Sequence, residues 1–92
     1  PAVNYPFPTH VHILRGKVVE TTGRAVVDAE VRRSNTERVA SGAQGAFALP
    51  LRWTPGGVAV AIDAIDHRTG QVGTITITLP QALGSSQTIT VS

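Results

Sequence analysis

The sequence contains no cysteine, and its 92 residues include only one Trp, one Tyr and two Phe. Without cysteine, the chain has neither a disulfide framework nor a thiolate metal site. No apolar run approaches the ~20 residues of a membrane-spanning helix, because the apolar stretch 58–65 has only the length of a strand. We therefore expect one domain without a membrane span, and because the sequence starts at Pro1 we expect a processed chain or a piece cut from a longer protein.

Charge of one sign is not concentrated anywhere in the sequence. The formal net charge is +2, and seven of the eight basic residues are arginines. These basic residues are dispersed and interleaved with Glu20, Asp28, Glu30 and Glu37. A nucleic-acid-binding protein usually gathers its cations on one face or helix. The sequence therefore predicts a solvated surface of mixed charge and no nucleic-acid partner.

Helical periodicity is also absent, and short alternating segments predict β-strands instead. The predicted strands are residues 12–20, 25–33, 38–41, 46–53, 58–66, 71–79 and 87–92. In the second of them, the alternation places Val27, Ala29 and Val31 on one face. Strands this short, with turn signals between them, predict an all-β, seven-stranded antiparallel β-sandwich. This single domain covers residues 10–92 and follows a proline-rich leader, residues 1–9.

A turn glycine followed by an alternating strand marks the centre of the predicted core. Gly45 can take positive φ, as can Gly23 in the first turn. After Gly45, the apolar residues Phe47 and Leu49 fall on one face. The predicted core consists of Leu14, Val18, Val31, Phe47, Leu49, Val60, Ile62, Ile75, Ile77 and Ile89.

Several motifs in this order resemble the carboxypeptidase regulatory-like domains, which are β-sandwiches of the prealbumin (transthyretin-like) type. The matching elements are Leu14-Arg15-Gly16-Lys17-Val18, the turn residue Gly23, Ala29-Glu30-Val31, Gly45-Ala46-Phe47-Ala48-Leu49 and Pro55-Gly56 before an apolar strand. The sequence departs from the family pattern at Ser41-Gly42, where a Thr-Asp step is usual, and at Gln44 and Val58. The resemblance covers about residues 13–91 and implies a transthyretin-like or immunoglobulin-like fold of Greek-key type.

The resemblance also implies a class of function. In that family the module is non-catalytic and accompanies bacterial cell-surface, secretion or enzyme assemblies. For this chain it implies an interaction or accessory module, in an extracellular or cell-envelope setting. Its partner would then be another protein or a neighbouring domain of the same polypeptide, bound at a sheet edge or an end-loop patch.

Three aromatic residues are the candidates for contact with such a partner. Tyr5 and Phe7 alternate with prolines in the leader, where they either dock a neighbour or pack on the sandwich edge. Trp53 precedes a Pro-Gly-Gly turn. It either covers the end of the sandwich or stacks on a ligand, which leaves a carbohydrate-binding module as an alternative function.

Two histidines are the candidates for a metal site. His10 and His12 lie two residues apart, which puts both imidazoles on one side of a strand, and Asp66 or His67 could complete the set if the fold brings them near. The alternative interpretation is two polar residues at a strand entry. We expect no metal and no other cofactor to be required, because the predicted strands already form a continuous apolar core.

The segment Thr9-His10-Val11 also resembles the start of the 5-hydroxyisourate hydrolases, enzymes with the transthyretin fold. That resemblance implies a small hydrolase as a further alternative. The late His-x-His element and the terminal Tyr-Arg-Gly-Ser of those enzymes are missing here, because the sequence ends with Thr90-Val91-Ser92. We therefore assign no catalytic residue and expect the chain not to be an enzyme.

Overall fold

The computed structural model describes residues 10–53, 57–81 and 84–92, and these residues form an all-β structure of two sheets. The strands are β1 (His10–Glu20), β2 (Glu30–Arg32), β3 (Arg38–Ala40), β4 (Ala46–Trp53), β5 (Val58–Asp66), β6 (Gln71–Leu79) and β7 (Ser86–Val91). A short 3-10 turn, Ala43–Gly45, precedes β4. In the described ranges, no helix has the length and apolar character that crossing a bilayer requires.

The strands divide into two sheets that enclose the core. Sheet A has the order β4-β1-β7, and sheet B has the order β3-β2-β5-β6. The two sheets approach each other on one side, where the backbone groups of Val72 on β6 and Ser92 after β7 exchange hydrogen bonds of 3.0 and 3.3 Å. On the other side, β3 and β4 form the edges of the two sheets.

The prediction of a wholly antiparallel sandwich is wrong at one strand pair. β1 and β7 are parallel neighbours, from Arg15 beside Ser86 to Glu20 beside Val91, whereas the other pairings are antiparallel. Within each sheet, odd-numbered strands run one way and even-numbered strands run the other. The first and seventh strands therefore run in the same direction. They can lie side by side because β5 and β6 of sheet B form the long connection that a parallel pair requires before the chain returns to sheet A as β7.

The core lies where the inward faces of the two sheets meet. The predicted core residues are buried, except that Val60 and Ile75 are partly buried and pack against the buried cluster. The buried cluster also contains Val26, Ala29, Leu51, Ala64, Leu79 and Val91. The positive φ predicted for two glycines is confirmed, with +89° at Gly23 and +74° at Gly45.

The prediction for residues 25–33 is wrong in length and at one position of the predicted inward face, because Ala29 and Val31 are buried as predicted but Val27 is not. Only Glu30–Arg32 forms a strand, and Val26 is 3% exposed while Val27 is 43% exposed. The reason is Asp28, which has φ +61° and interrupts the alternation. The buried Ser41 Oγ holds this segment in place, because it accepts a hydrogen bond from Ala29 N (2.9 Å) and donates one to Val26 O (2.7 Å).

Candidate interaction surface

The two candidate histidines lie at the start of β1, on its core-facing side. His10 is directly opposite Trp53, the last residue of β4, and the two rings are stacked with a centroid distance of 4.6 Å and an interplanar angle of 27°. Trp53 is partly buried and packs against the core. The structure therefore places Trp53 at the end of the sandwich, with the His10 imidazole stacked on its indole.

His12 has a different neighbour, and no third ligand joins the pair. Its Nε2 lies 3.3 Å from Gln81 Oε1, in the segment that follows β6. Across residues 10–53, 57–81 and 84–92, no three His, Cys, Asp or Glu side chains are grouped closely enough to hold a metal ion. The structure thus places the two histidines next to an indole and an amide.

The idea that Asp66 or His67 completes the histidine pair is wrong, because both lie at the other end of the sandwich. Asp66 lines a cavity of about 320 Å³ together with Glu20, the last residue of β1. Ten residues of strand separate Glu20 from His10, a distance of about 33 Å at ~3.3 Å per residue. Burial raises the pKa of Asp66, but the hydrogen bond from Arg68 N (3.1 Å) contributes to a net lowering.

A charged cluster that the sequence analysis did not identify surrounds Glu30 on the outside of sheet B. Glu30 Oε1 is 2.7 Å from His67 Nε2, and its Oε2 lies 3.6 Å from one guanidinium nitrogen of Arg32 and one of Arg38. The His67 hydrogen bond is the largest cause of the lowered pKa of Glu30, which the two arginines lower further. A cavity of about 310 Å³ adjoins Glu30 and Arg38.

The outer face of sheet A presents apolar side chains to solvent. Its residues on β1 and β4 are opposite each other in pairs: Val11 with Arg52, Ile13 with Pro50, Arg15 with Ala48, and Lys17 with Ala46. We call these eight residues the sheet A face. Val11 is 58% exposed and Ile13 is 39% exposed, and with Pro50 opposite Ile13 they form a contiguous apolar patch on the outer face of the sheet.

The sheet A face carries cations but no carboxylate. Arg15, Lys17 and Arg52 are its charged members, and β7 adds only hydroxyl side chains beside Arg15 and Lys17, from Ser86 and Thr88. In the part of the chain that the structure describes, the side chains of Arg15 and Lys17 form no ion pair. The face is therefore an apolar strip with a positively charged border.

A groove continues the sheet A face around the edge of the sandwich. It has a volume of about 430 Å³ and lies between β4 and β3, the edges of the two sheets. Val11, Pro50 and Arg52 form its wall on the side of sheet A, and Arg38 and Val39 form the wall on the side of sheet B. Arg38 and Arg52 bring positive charge into the groove, and the carboxylate of Glu37, which also lines it and accepts a 3.0 Å hydrogen bond from Arg52 N, partly balances that charge.

The sequence signal for this surface was present in the alternation of β1. Its outward positions begin with Val11 and Ile13, whereas a solvated face of an antiparallel sheet normally carries polar residues.

The aromatic candidates Tyr5 and Phe7 lie outside the described residues. In comparisons with known proteins, the chain matches no family model, no curated protein and no solved structure.

Proposed function

We propose that the chain is a non-catalytic interaction or accessory module that docks another protein, or a neighbouring domain of the same polypeptide, through the sheet A face. The observation that carries the proposal is that the exposed Val11 lies opposite Arg52 and the exposed Ile13 lies opposite Pro50. An apolar centre with a polar border is the usual composition of a protein interface.

The charges of this face indicate the chemistry of the partner. Arg15, Lys17 and Arg52 border the apolar strip without a carboxylate on the face, so an acidic surface with apolar side chains at its centre is the complementary partner. Arginine and lysine beside a strip of aliphatic residues would guide association through charge, while burial of Val11 and Ile13 would supply affinity.

The same proposal includes the finer fold assignment. The two-sheet sandwich, the buried Phe47 after a positive-φ Gly45 and the close packing around Gly16 support a transthyretin-like fold of Greek-key type, as in the carboxypeptidase regulatory-like domains. On that basis the chain belongs to a bacterial surface, secretion or enzyme assembly, at the cell envelope or outside the cell. Fold alone does not determine function, so the binding surface has to be tested directly.

Selection of peptide ligands tests the surface without knowledge of the natural partner. A random displayed-peptide library selected on the 92-residue chain should yield acidic sequences with apolar residues. Their binding should be lost in the double variant Arg15→Glu/Lys17→Glu and in Ile13→Glu. Arg24→Glu is the matched control, because Arg24 is an exposed cation in the turn after β1, away from the face. Ligands that bind all four proteins equally would refute the proposed surface.

An activity assay tests the non-catalytic part of the proposal. We expect no turnover of 5-hydroxyisourate or of model esters above the uncatalysed rate. His10 is the residue to substitute, because it begins the segment that resembles the hydrolases. Turnover that disappears in His10→Ala but persists in His67→Ala would establish the hydrolase alternative instead.

A further inference from the structure

The outer edges of β4 and β6 differ in how their backbone groups are satisfied. On β4, Arg52 N donates a 3.0 Å hydrogen bond to Glu37 Oε2, and Arg52 O accepts one of 2.9 Å from Arg33 Nη2. In an edge strand, every second residue points its backbone N–H and C=O away from the sheet. Arg52 is such a residue on β4, so Pro50 is the next one along the strand, and proline has no N–H to donate. The β4 edge is thus closed to further strand pairing.

The outer edge of β6 lacks these features. Val72 uses its N–H and C=O outward, toward Ser92, so the next outward positions are Thr74, Thr76 and Thr78. Within the described ranges, no hydrogen bond reaches the outward backbone groups of these three threonines. The Val72–Ser92 contact bounds this open edge at one end, and Pro80 bounds it at the other.

The composition of the open edge favours strand pairing. Residues 74–78 read Thr-Ile-Thr-Ile-Thr, which includes only β-branched side chains and no proline, glycine or charge. Proteins normally protect an exposed edge of this kind with charge, proline or a bulge, because it is a template for another strand. On β6 the open stretch has none of these, so its backbone groups are available to pair with another strand.

The sequence of the edge is complementary to a second copy of itself. Thr-Ile-Thr-Ile-Thr reads the same in both directions, so two copies placed antiparallel about Thr76 match residue for residue. We propose that two copies of this chain pair through β6, with a two-fold axis at Thr76 and six backbone hydrogen bonds. Thr76 then lies opposite Thr76 of the second copy, and Thr74 lies opposite Thr78.

The register is consistent with the backbone and with the charges. The outward positions 74, 76 and 78 fall on hydrogen-bonded pairs of an antiparallel ladder, in which each pair exchanges two bonds. A two-fold axis brings each residue close to its own equivalent, and residues 72–79 carry no charge that would repel itself. Ile75 and Ile77 would meet on the core-facing side, with the threonines on the solvent side.

The affinity of this pairing is limited by its size. A ladder five residues long is small relative to the roughly 1,600 Å² of a standard interface. We therefore expect a dimer that dissociates on dilution, so that the average mass rises from 9.6 kDa toward twice that value with concentration. The pairing uses sheet B and does not depend on the sheet A face.

Cysteine substitution tests the register, because the chain has no native cysteine. Thr76→Cys should form a disulfide-linked dimer under mild oxidation, since hydrogen-bonded pairs have Cα atoms about 5.5 Å apart, within disulfide range. Thr74→Cys alone should not link, because four residues, about 13 Å, offset it from its equivalent. A mixture of Thr74→Cys and Thr78→Cys should link. Linking at the same rate for Thr74→Cys alone and Thr76→Cys would refute this register.

Charge substitution tests the association itself by sedimentation equilibrium. Thr76→Lys places two like charges opposite each other, which should raise the dimer dissociation constant about fivefold. Mixing Thr76→Lys with Thr76→Glu should restore association. Ala61→Lys is the matched control, since Ala61 is exposed, pairs with Thr76 within sheet B and lies one strand away from the edge. A parent chain that stays monomeric at every concentration, or association unchanged by Thr76→Lys, would overturn the proposal.

Discussion

The Phe47 ring occupies the space that a side chain on Gly16 would need. The two residues are directly opposite each other in the β1–β4 pairing. A Cβ on residue 16 would lie 2.8 Å from Phe47 Cζ and would also collide with the carbonyl oxygen of Gln87 on β7. Gly16 therefore permits both the packing of the buried ring and the close approach of β7 at the centre of sheet A.

Replacing Gly16 by alanine should destabilise the domain by about 1–3 kcal/mol, the usual cost of overpacking a filled site. Gly42→Ala is the matched control, because the nearest atom to its added Cβ is 3.8 Å away and its φ is −103°. Urea unfolding of both variants measures the difference. Equal stabilities would show that β7 can move away from β1 at little cost.

Gly45→Ala should cost more than Gly23→Ala, although both residues have positive φ. Alanine at positive φ costs about 1–2 kcal/mol at either position. Only at Gly45 does the added Cβ also collide with a backbone atom, the carbonyl oxygen of Val18, whereas Gly23 has nothing within 4 Å. Thermal melts should therefore rank parent, Gly23→Ala and Gly45→Ala in order of falling Tm. The reverse order for the two variants would mean that the turn before β4 adapts freely.

The domain should lose stability in acid, because protonation of Glu30 removes its interactions with His67 and the two arginines. The pKa of Glu30 lies below the ordinary value of 4.5, chiefly because of the His67 hydrogen bond and then the two arginines. A lowered folded-state pKa contributes stability that is full above the unfolded value and is lost as the pH falls through the folded value. Melts between about pH 2 and pH 7 should therefore show Tm falling below about pH 4.5, less steeply in Glu30→Gln and in His67→Ala. Identical acid profiles in all three proteins would contradict this assignment.

Removal of divalent metal should leave the stability unchanged. His10 stacks on Trp53 and His12 is next to Gln81, and in the described residues no third potential ligand joins them. Melts with a strong chelator and with added zinc should therefore coincide. A tight zinc site would instead stabilise the domain by about 2–3 kcal/mol at a hundredfold excess over Kd, and His12→Ala would abolish that increase.

The parts of the fold that depend on local pattern could be predicted from the sequence. Alternation predicted the bounds of β4 and β6, the apolar run predicted those of β5, and turn glycines predicted the positive φ of Gly23 and Gly45. The burial of Val26 in place of Val27 was not predictable in this way. It depends on the positive φ of Asp28 and on hydrogen bonds to Ser41, which is distant in sequence. Likewise, local pattern carries no information on the parallel pairing of β1 with β7, which depends on the path through sheet B.

Candidate site residues were harder to predict for the same reason. The spacing of His10 and His12 correctly placed them on one side of a strand, but which side chains approach them depends on where the other strands end. The cluster around Glu30 joins β2, β3 and the turn after β5, and no single segment of the sequence displays it. The exposed apolar residues of the sheet A face could be predicted from the alternation of β1. That the face carries cations and no carboxylate depends on which residues of β4 and β7 lie beside β1.

The parallel pairing of β1 with β7 has a mechanical consequence. His10 begins β1 at one end of sheet A, and Ser92 follows β7 beside Glu20 at the other end. Tension applied through these two residues would act along the strand axes in opposite directions. It would load the hydrogen bonds between β1 and β7 together, in shear, instead of opening them one after another as in an unzipping hairpin. Pulling at residues 10 and 92 should therefore need a higher rupture force than pulling across the β1–β4 edge, for example at residues 10 and 53.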